Sequence, residues 1–127
     1  GIDDIVKLQP KMPFKDAIKD MQAADALLLL QANTCNYQIP AKAYEYIRVG
    51  KPILALTDPT GDTAKVMEAS RVALIAPLDD VANIKQAIIS LVEKHRQQDF
   101  DFLSPDEVKQ FSRKSQAVQL EQLLSEL

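Results

Sequence analysis

Every apolar run in this chain is short, and a stretch of helical period separates each run from the next. The runs are Ile5 to Leu8 (interrupted by Lys7), Ala26 to Leu30, Ile53 to Leu56 and Val72 to Ile75. Runs this short suit strands buried in a sheet and are too short for helix cores. Between them the apolar residues recur every three or four positions. Phe14, Ala17, Ile18 and Met21 share one helical face, and Val81, Ile84, Ile88, Leu91 and Val92 share another. Strands that alternate with helices need crossover connections, so the sheet they form is parallel and covered on both faces. The expected fold is therefore α/β, a parallel sheet of about four strands with helices on both sides, in a single domain over residues 1–127. Ala26 to Leu30, with no polar residue in it, is expected to be buried on both faces.

Local signals set the boundaries. Pro10 and Pro13 separate the first run from the first helix. Pro40 is placed in the first turn of the second helix, where its missing N–H costs nothing. Gly50 ends that helix. Thr57 to Gly61 is a turn cluster, followed by a helix over Asp62 to Ala69. Asp79 or Asp80 caps the helix that begins at Val81. Residues 104–127 form a C-terminal helical segment. It opens with Ser104-Pro105-Asp106-Glu107, which has capping-box form, and ends in a stripe of Leu120, Leu123, Leu124 and Leu127. Parallel sheets bind ligands beyond the carboxyl ends of their strands. The segments to watch are therefore Gln9 to Pro13, Gln31 to Pro40, Thr57 to Thr63 and Ala76 to Asp80.

Composition removes several classes of function. The only glycines are Gly1, Gly50 and Gly61, so neither a Walker A loop nor a G-x-G-x-x-G fingerprint can be written. His95 is the only histidine and Cys35 the only cysteine, which excludes histidine-rich and Cys/His metal sites and any internal disulfide. A lone thiol fits a reducing compartment, and a cytoplasmic location is expected. Net charge is −3, so no basic field for nucleic acid is expected. No apolar run is long enough for a transmembrane segment, and no signal peptide is visible. The chain begins with glycine, which leads us to expect a piece of a longer protein.

The segment from Ile39 to Ala55 carries most of the chemistry. A helix start at Ala41 to Ala43 presents free N–H groups, which make an anion site. Glu45 lies about one turn further on, on the side that Lys42 can reach. A phosphate at the helix start and a sugar hydroxyl at the carboxylate suit this spacing. The plain reading is a solvated Lys42–Glu45 helix pair, with Tyr44 and Tyr46 as packing residues.

The pattern Lys42-x-x-Glu45-Tyr46-x-x-x-Gly50-Lys51-Pro52 resembles the K-x-x-E-Y-x-x-x-G-K-P stretch of glycosyltransferases with two facing Rossmann-like domains, the B-type fold. It is most similar to the large retaining family that uses nucleotide-sugar donors. Met21-Gln22-Ala23-Ala24-Asp25 followed by leucines resembles that family's strand entry, and Asp58 to Asp62 its turn after Gly-Lys-Pro. Pro77 to Ile88 is similar to its penultimate strand-to-helix step, and Phe111 to Leu127 to the terminal helix that crosses back to the partner domain. The resemblance implies part of a Rossmann-like donor domain from an enzyme that moves a glycosyl unit from a nucleoside diphosphate sugar to an acceptor alcohol. It implies Glu45 as the ribose ligand, the amides of Ala41 and Lys42 at the diphosphate, and Ile39 and Pro40 framing the phosphate site. It places Tyr37 and Lys11 near the base or sugar. The family needs no cofactor and in general no bound metal, the nucleotide sugar being the donor substrate. Tyr37 stands where many retaining members carry a second glutamate.

The resemblance also implies absent parts: an N-terminal acceptor domain and two earlier strand–helix units of the donor domain. The implied partners are the nucleotide sugar and that acceptor domain, which could also hold the protein peripherally at the inner membrane face. The fragment alone is expected to be inactive. Without the two earlier units, Ile5 to Leu8 is expected to move beside Ala26 to Leu30 through a right-handed crossover. Otherwise the leucine strand keeps an open edge that invites self-association. The alternative function is a non-catalytic α/β module that binds nucleotide or another protein. A receiver domain is excluded, because Leu30 and Ile75 are not followed by the acidic and basic residues it needs. A flavin site is disfavoured because Gln9-Pro10-Lys11 is not a phosphate loop.

Overall fold

Four leucines in succession, Leu27–Leu30, form the first strand, β1. The computed structural model describes residues 1–127. Strand β2 spans Ile53–Leu56 and β3 spans Ala73–Ala76. They form a parallel sheet of three strands in the order β1-β2-β3, with Leu27 level with Ile53 and Ile53 level with Ala73. Helix α1 (Phe14–Ala23) precedes the sheet, α2 (Ala41–Val49) joins β1 to β2, and α3 (Asp62–Ala69) joins β2 to β3. Helices α4 (Val81–Gln97), α5 (Pro105–Lys109) and α6 (Arg113–Ser125) follow.

Alternation along the strands feeds two cores. Leu27, Leu29, Ile53 and Ala55 point to one face, where Ala43, Tyr46 and Ile47 of α2 and Met67 of α3 bury them. Leu54, Leu56 and Ala76 point to the other face, where Ile84, Ala87 and Leu91 of α4 pack. Two successive crossovers in one direction place α2 and α3 on the same side of the sheet, where both feed the main core.

Several helix ends follow the local signals. Gly50 adopts φ +72 and closes α2 through its N–H to the Tyr46 carbonyl, a conformation that side chains resist. Asp80 caps α4 by accepting from the Asn83 amide. Ser104 and Glu107 form the complete capping box at α5. Pro40, expected inside the first turn, is instead the extended residue just before α2, with ψ 142. Strand β3 spans Ala73–Ala76, one residue later at each end than Val72 to Ile75, and the Val72 carbonyl just before it accepts from the Ile53 amide.

Two expectations are corrected. The sheet has three strands, not four, because Ile5 to Leu8 is not a strand and no crossover brings it to β1. The amides of Ile5 and Val6 both donate to the Ile2 carbonyl, closing a local turn, and Leu8 is 94% exposed. A segment with a lysine inside it, prolines beyond it and no element to cover it does not offset the entropy of ordering it. As a result β1 is buried on one face only. Leu28 is 50% and Leu30 59% exposed, since α4 covers the β2 and β3 positions of that face and no element covers β1.

Candidate functional site

The carboxyl ends of β1 and β2 are held by one buried amide. Gln31, the residue after β1, donates from Nε2 to the carbonyls of Cys35 (2.9 Å) and Gln38 (2.5 Å). Its Oε1 accepts from Thr57 Oγ1, the residue after β2, at 2.9 Å. This side chain folds the loop from Gln31 to Pro40 back over the sheet and delivers the chain to the start of α2. Beside it, Asn36 donates to Asp58, and Asp58 accepts from the amide and hydroxyl of Thr60 at 2.8 Å each. The Thr60 amide, then the Thr60 hydroxyl and Asn36, hold the Asp58 carboxyl below the usual range. Asn36 Oδ1 and Thr63 Oγ1 are buried without a partner.

Helix α2 presents Ala41, Tyr44, Glu45 and Arg48 on one face, at the spacing that aligns side chains along a helix. Opposite stands the C-terminal segment with Phe102, Leu103, Val108, Phe111 and Arg113, and Ser70 and Val72 close the floor. Between them lies an open groove of about 990 Å³. Phe100, Leu103 and Phe111 pack against the main core and so fix this second wall. No side chain caps the start of α2, which leaves its first amides to solvent or a ligand. Lys42 and Glu45 do not pair, as the salt bridges of the chain lie elsewhere. Tyr46 is buried and donates to the Leu28 carbonyl at 3.3 Å, so it is a packing residue. Tyr44 lies beneath Arg113, whose guanidinium is 6.0 Å from the ring centre.

Of the residues singled out from the sequence, the groove takes Ala41 and Glu45. Lys42 is exposed on the neighbouring face of α2. Ile39 packs against the main core, and Pro40 is half-buried ahead of the helix. Tyr37 is 95% exposed, and Lys11 is exposed in the segment before α1. Neither lines the groove. Arg48, Phe102, Phe111 and Arg113 are the residues that sequence reasoning missed. Arg48 follows Glu45 by three positions and could have been found from helical spacing. The others lie far along the chain and come near α2 only through the packing of Leu103 and Phe111.

His95 and Asp25, 3.9 Å apart, sit at the amino end of the sheet beside a smaller hollow of about 440 Å³, with Lys51 before β2. Nowhere do three or more His, Cys, Asp or Glu side chains gather as metal ligands would. No helix is long and apolar enough to cross a membrane. Compared with models of known protein families, with curated proteins and with solved structures, the chain matches none.

Proposed function

We propose that this chain is the nucleotide-sugar-binding part of a glycosyltransferase, Rossmann-like in fold and belonging to the donor domain of a B-type enzyme. The parent reaction moves a glycosyl unit from a nucleoside diphosphate sugar to an acceptor alcohol. The observation that carries the reading is Glu45. It lines a groove wide enough for a nucleotide, it has no ion-pair partner within the chain, and it stands one turn from an uncapped helix start. A carboxylate there accepts from paired ribose hydroxyls while the first amides of α2 face the phosphates. The α/β architecture and the three-stranded parallel sheet are compatible with a Rossmann-like fold.

Transfer needs an acceptor aligned against the donor, and that alignment falls to a second domain of the parent protein. The chain by itself is therefore expected to bind donor without turning it over. Calorimetry with UDP, GDP and ADP tests the binding. Glu45→Gln keeps the shape but removes the charge, and a charged hydrogen bond is worth about 1.5–3 kcal/mol. Binding is expected to weaken about tenfold or more. Equal affinity in wild type and variant removes Glu45 from the site. The exposed leucines of β1 and α6 favour one other reading, a non-catalytic interaction module. Nucleoside diphosphate binding that depends on Glu45 distinguishes the two.

A further inference from the structure

The first turn of α3 is sealed inside the protein with several of its polar groups unpaired. Thr63 and Ala64 are both 0% exposed. No side chain caps this helix, and the Lys65 amide is the first to reach back along it, to the Gly61 carbonyl. Of the amides ahead of Lys65, that of Asp62 donates to the Asn36 carbonyl at 3.2 Å. The amides of Thr63 and Ala64 reach no acceptor among the loop and cap hydrogen bonds. Thr63 Oγ1 and Asn36 Oδ1 are also buried and unpaired. Asn36 sits on the end of the helix, since its Cβ and Cγ lie 3.6 Å from where a Cβ on Gly61 would stand. Its Nδ2 is committed to Asp58, which leaves Oδ1 as a free acceptor. Side chains on a helix lean toward its N-terminus, so the Thr63 hydroxyl serves the same end.

We infer that ordered water is built into the start of α3, accepting from the amides of Thr63 and Ala64 and donating to Asn36 Oδ1, with the Thr63 hydroxyl as a further partner. Buried water makes about three hydrogen bonds to groups that would otherwise be unpaired, and this set supplies them. Charge and access disfavour other occupants. A cation would face the positive end of α3. An anion would face Asn36 Oδ1 and an Asp58 carboxyl that the Thr60 amide and hydroxyl keep ionised. An organic ligand would need an opening, and both side-chain oxygens are shut off from solvent. Water donates and accepts at once, and it is small enough to be enclosed. Asn36 belongs to the loop that leads to α2, so the water adds a link between that loop and α3. This link stands whether or not α2 binds a nucleotide.

Thr63→Val tests the inference by the sign of its effect. A buried hydroxyl without a partner costs stability, so removing it at constant shape would raise the urea midpoint or leave it unchanged. A hydroxyl bonded to water has a partner to lose, and the midpoint is expected to fall with the slope unchanged. A midpoint that is unchanged or raised overturns the inference. Water–amide cross-peaks in the NMR spectrum of the isotope-labelled 127-residue chain give a second readout on the wild type. The amides of Thr63 and Ala64 are expected to show the sign of a contact that outlasts molecular tumbling, and its absence at both overturns the inference. In Thr63→Val no exchanging hydroxyl remains to relay magnetisation, and the Ala64 cross-peak is expected to persist. Its loss there assigns the signal to the hydroxyl and overturns the inference. Neither measurement involves a nucleotide, so failure here leaves the proposed function standing.

Discussion

Gln31 shows how much a single polar side chain can decide. It is buried, and its amide satisfies two loop carbonyls and one hydroxyl at the carboxyl end of the sheet. Gln31→Leu keeps the volume but leaves those groups without partners, and each buried group left unpaired costs about 1–3 kcal/mol. We expect a loss of at least one such increment in urea unfolding, with the slope unchanged. Gln31→Glu is expected to be as damaging, because a carboxylate cannot donate to the Cys35 and Gln38 carbonyls. A midpoint within error of wild type for both variants contradicts this role. Gln31 was legible only as part of a polar loop, since its partners are set by the fold of that loop. Gly50 was legible outright, because a helix that ends before Lys51-Pro52 needs a left-handed residue and glycine adopts that conformation at least cost.

At the scale of elements, the wall opposite α2 depends on α5. Arg71, between α3 and β3, adopts φ +62, a conformation that residues other than glycine resist. Its guanidinium binds Asp101 at 2.9 Å and Glu107 at 2.6 Å and so ties the C-terminal segment to the domain. Glu107 also accepts from the Ser104 amide in the capping box. The Ser104 amide and hydroxyl, followed by Arg71, hold the Glu107 carboxyl below its ordinary value of 4.5. A carboxyl whose pKa is lowered by folding adds stability that is complete above the unfolded value and is lost as pH falls through the lowered one. The start of α5 is therefore expected to loosen only below about pH 4.5. Amide shifts of Ser104 and Glu107 followed by NMR check this. Ser104→Ala, which removes the hydroxyl but keeps the amide, and Arg71→Gln are each expected to raise the midpoint, and a midpoint unchanged in both variants would contradict the assignment of causes. The capping box was readable from four consecutive residues. The tie to Arg71 was not, because it joins positions far apart in the chain.

For the whole molecule, the open edge of β1 is the dominant property. Leu28 and Leu30 project from the face that α4 leaves uncovered, and the edge carries no charge or proline to deter another strand. Association that grows with protein concentration is expected in sedimentation velocity. Leu30→Lys is expected to suppress it at a stability change within about 0.5 kcal/mol, since the position is already exposed. Association equal in wild type and variant would show that the edge is not responsible.

What the sequence by itself determined is the set of local units. Strands β2 and β1, helices α2 and α3, the Gly50 stop and the Ser104 box all follow from residues within one or two turns of each other, where period and capping decide the outcome. Glu45 was singled out for the same reason, as a carboxylate a fixed step into a helix. The tertiary structure alone decided the rest. It left Ile5 to Leu8 outside the sheet, because a strand forms only where a partner supplies hydrogen bonds and cover. It exposed one face of β1, because burial depends on which neighbour each face meets. It also built a groove from α2 and a segment more than fifty residues later, bringing Arg113 to Tyr44. Such contacts depend on how separate elements pack, and no local period in the chain encodes them.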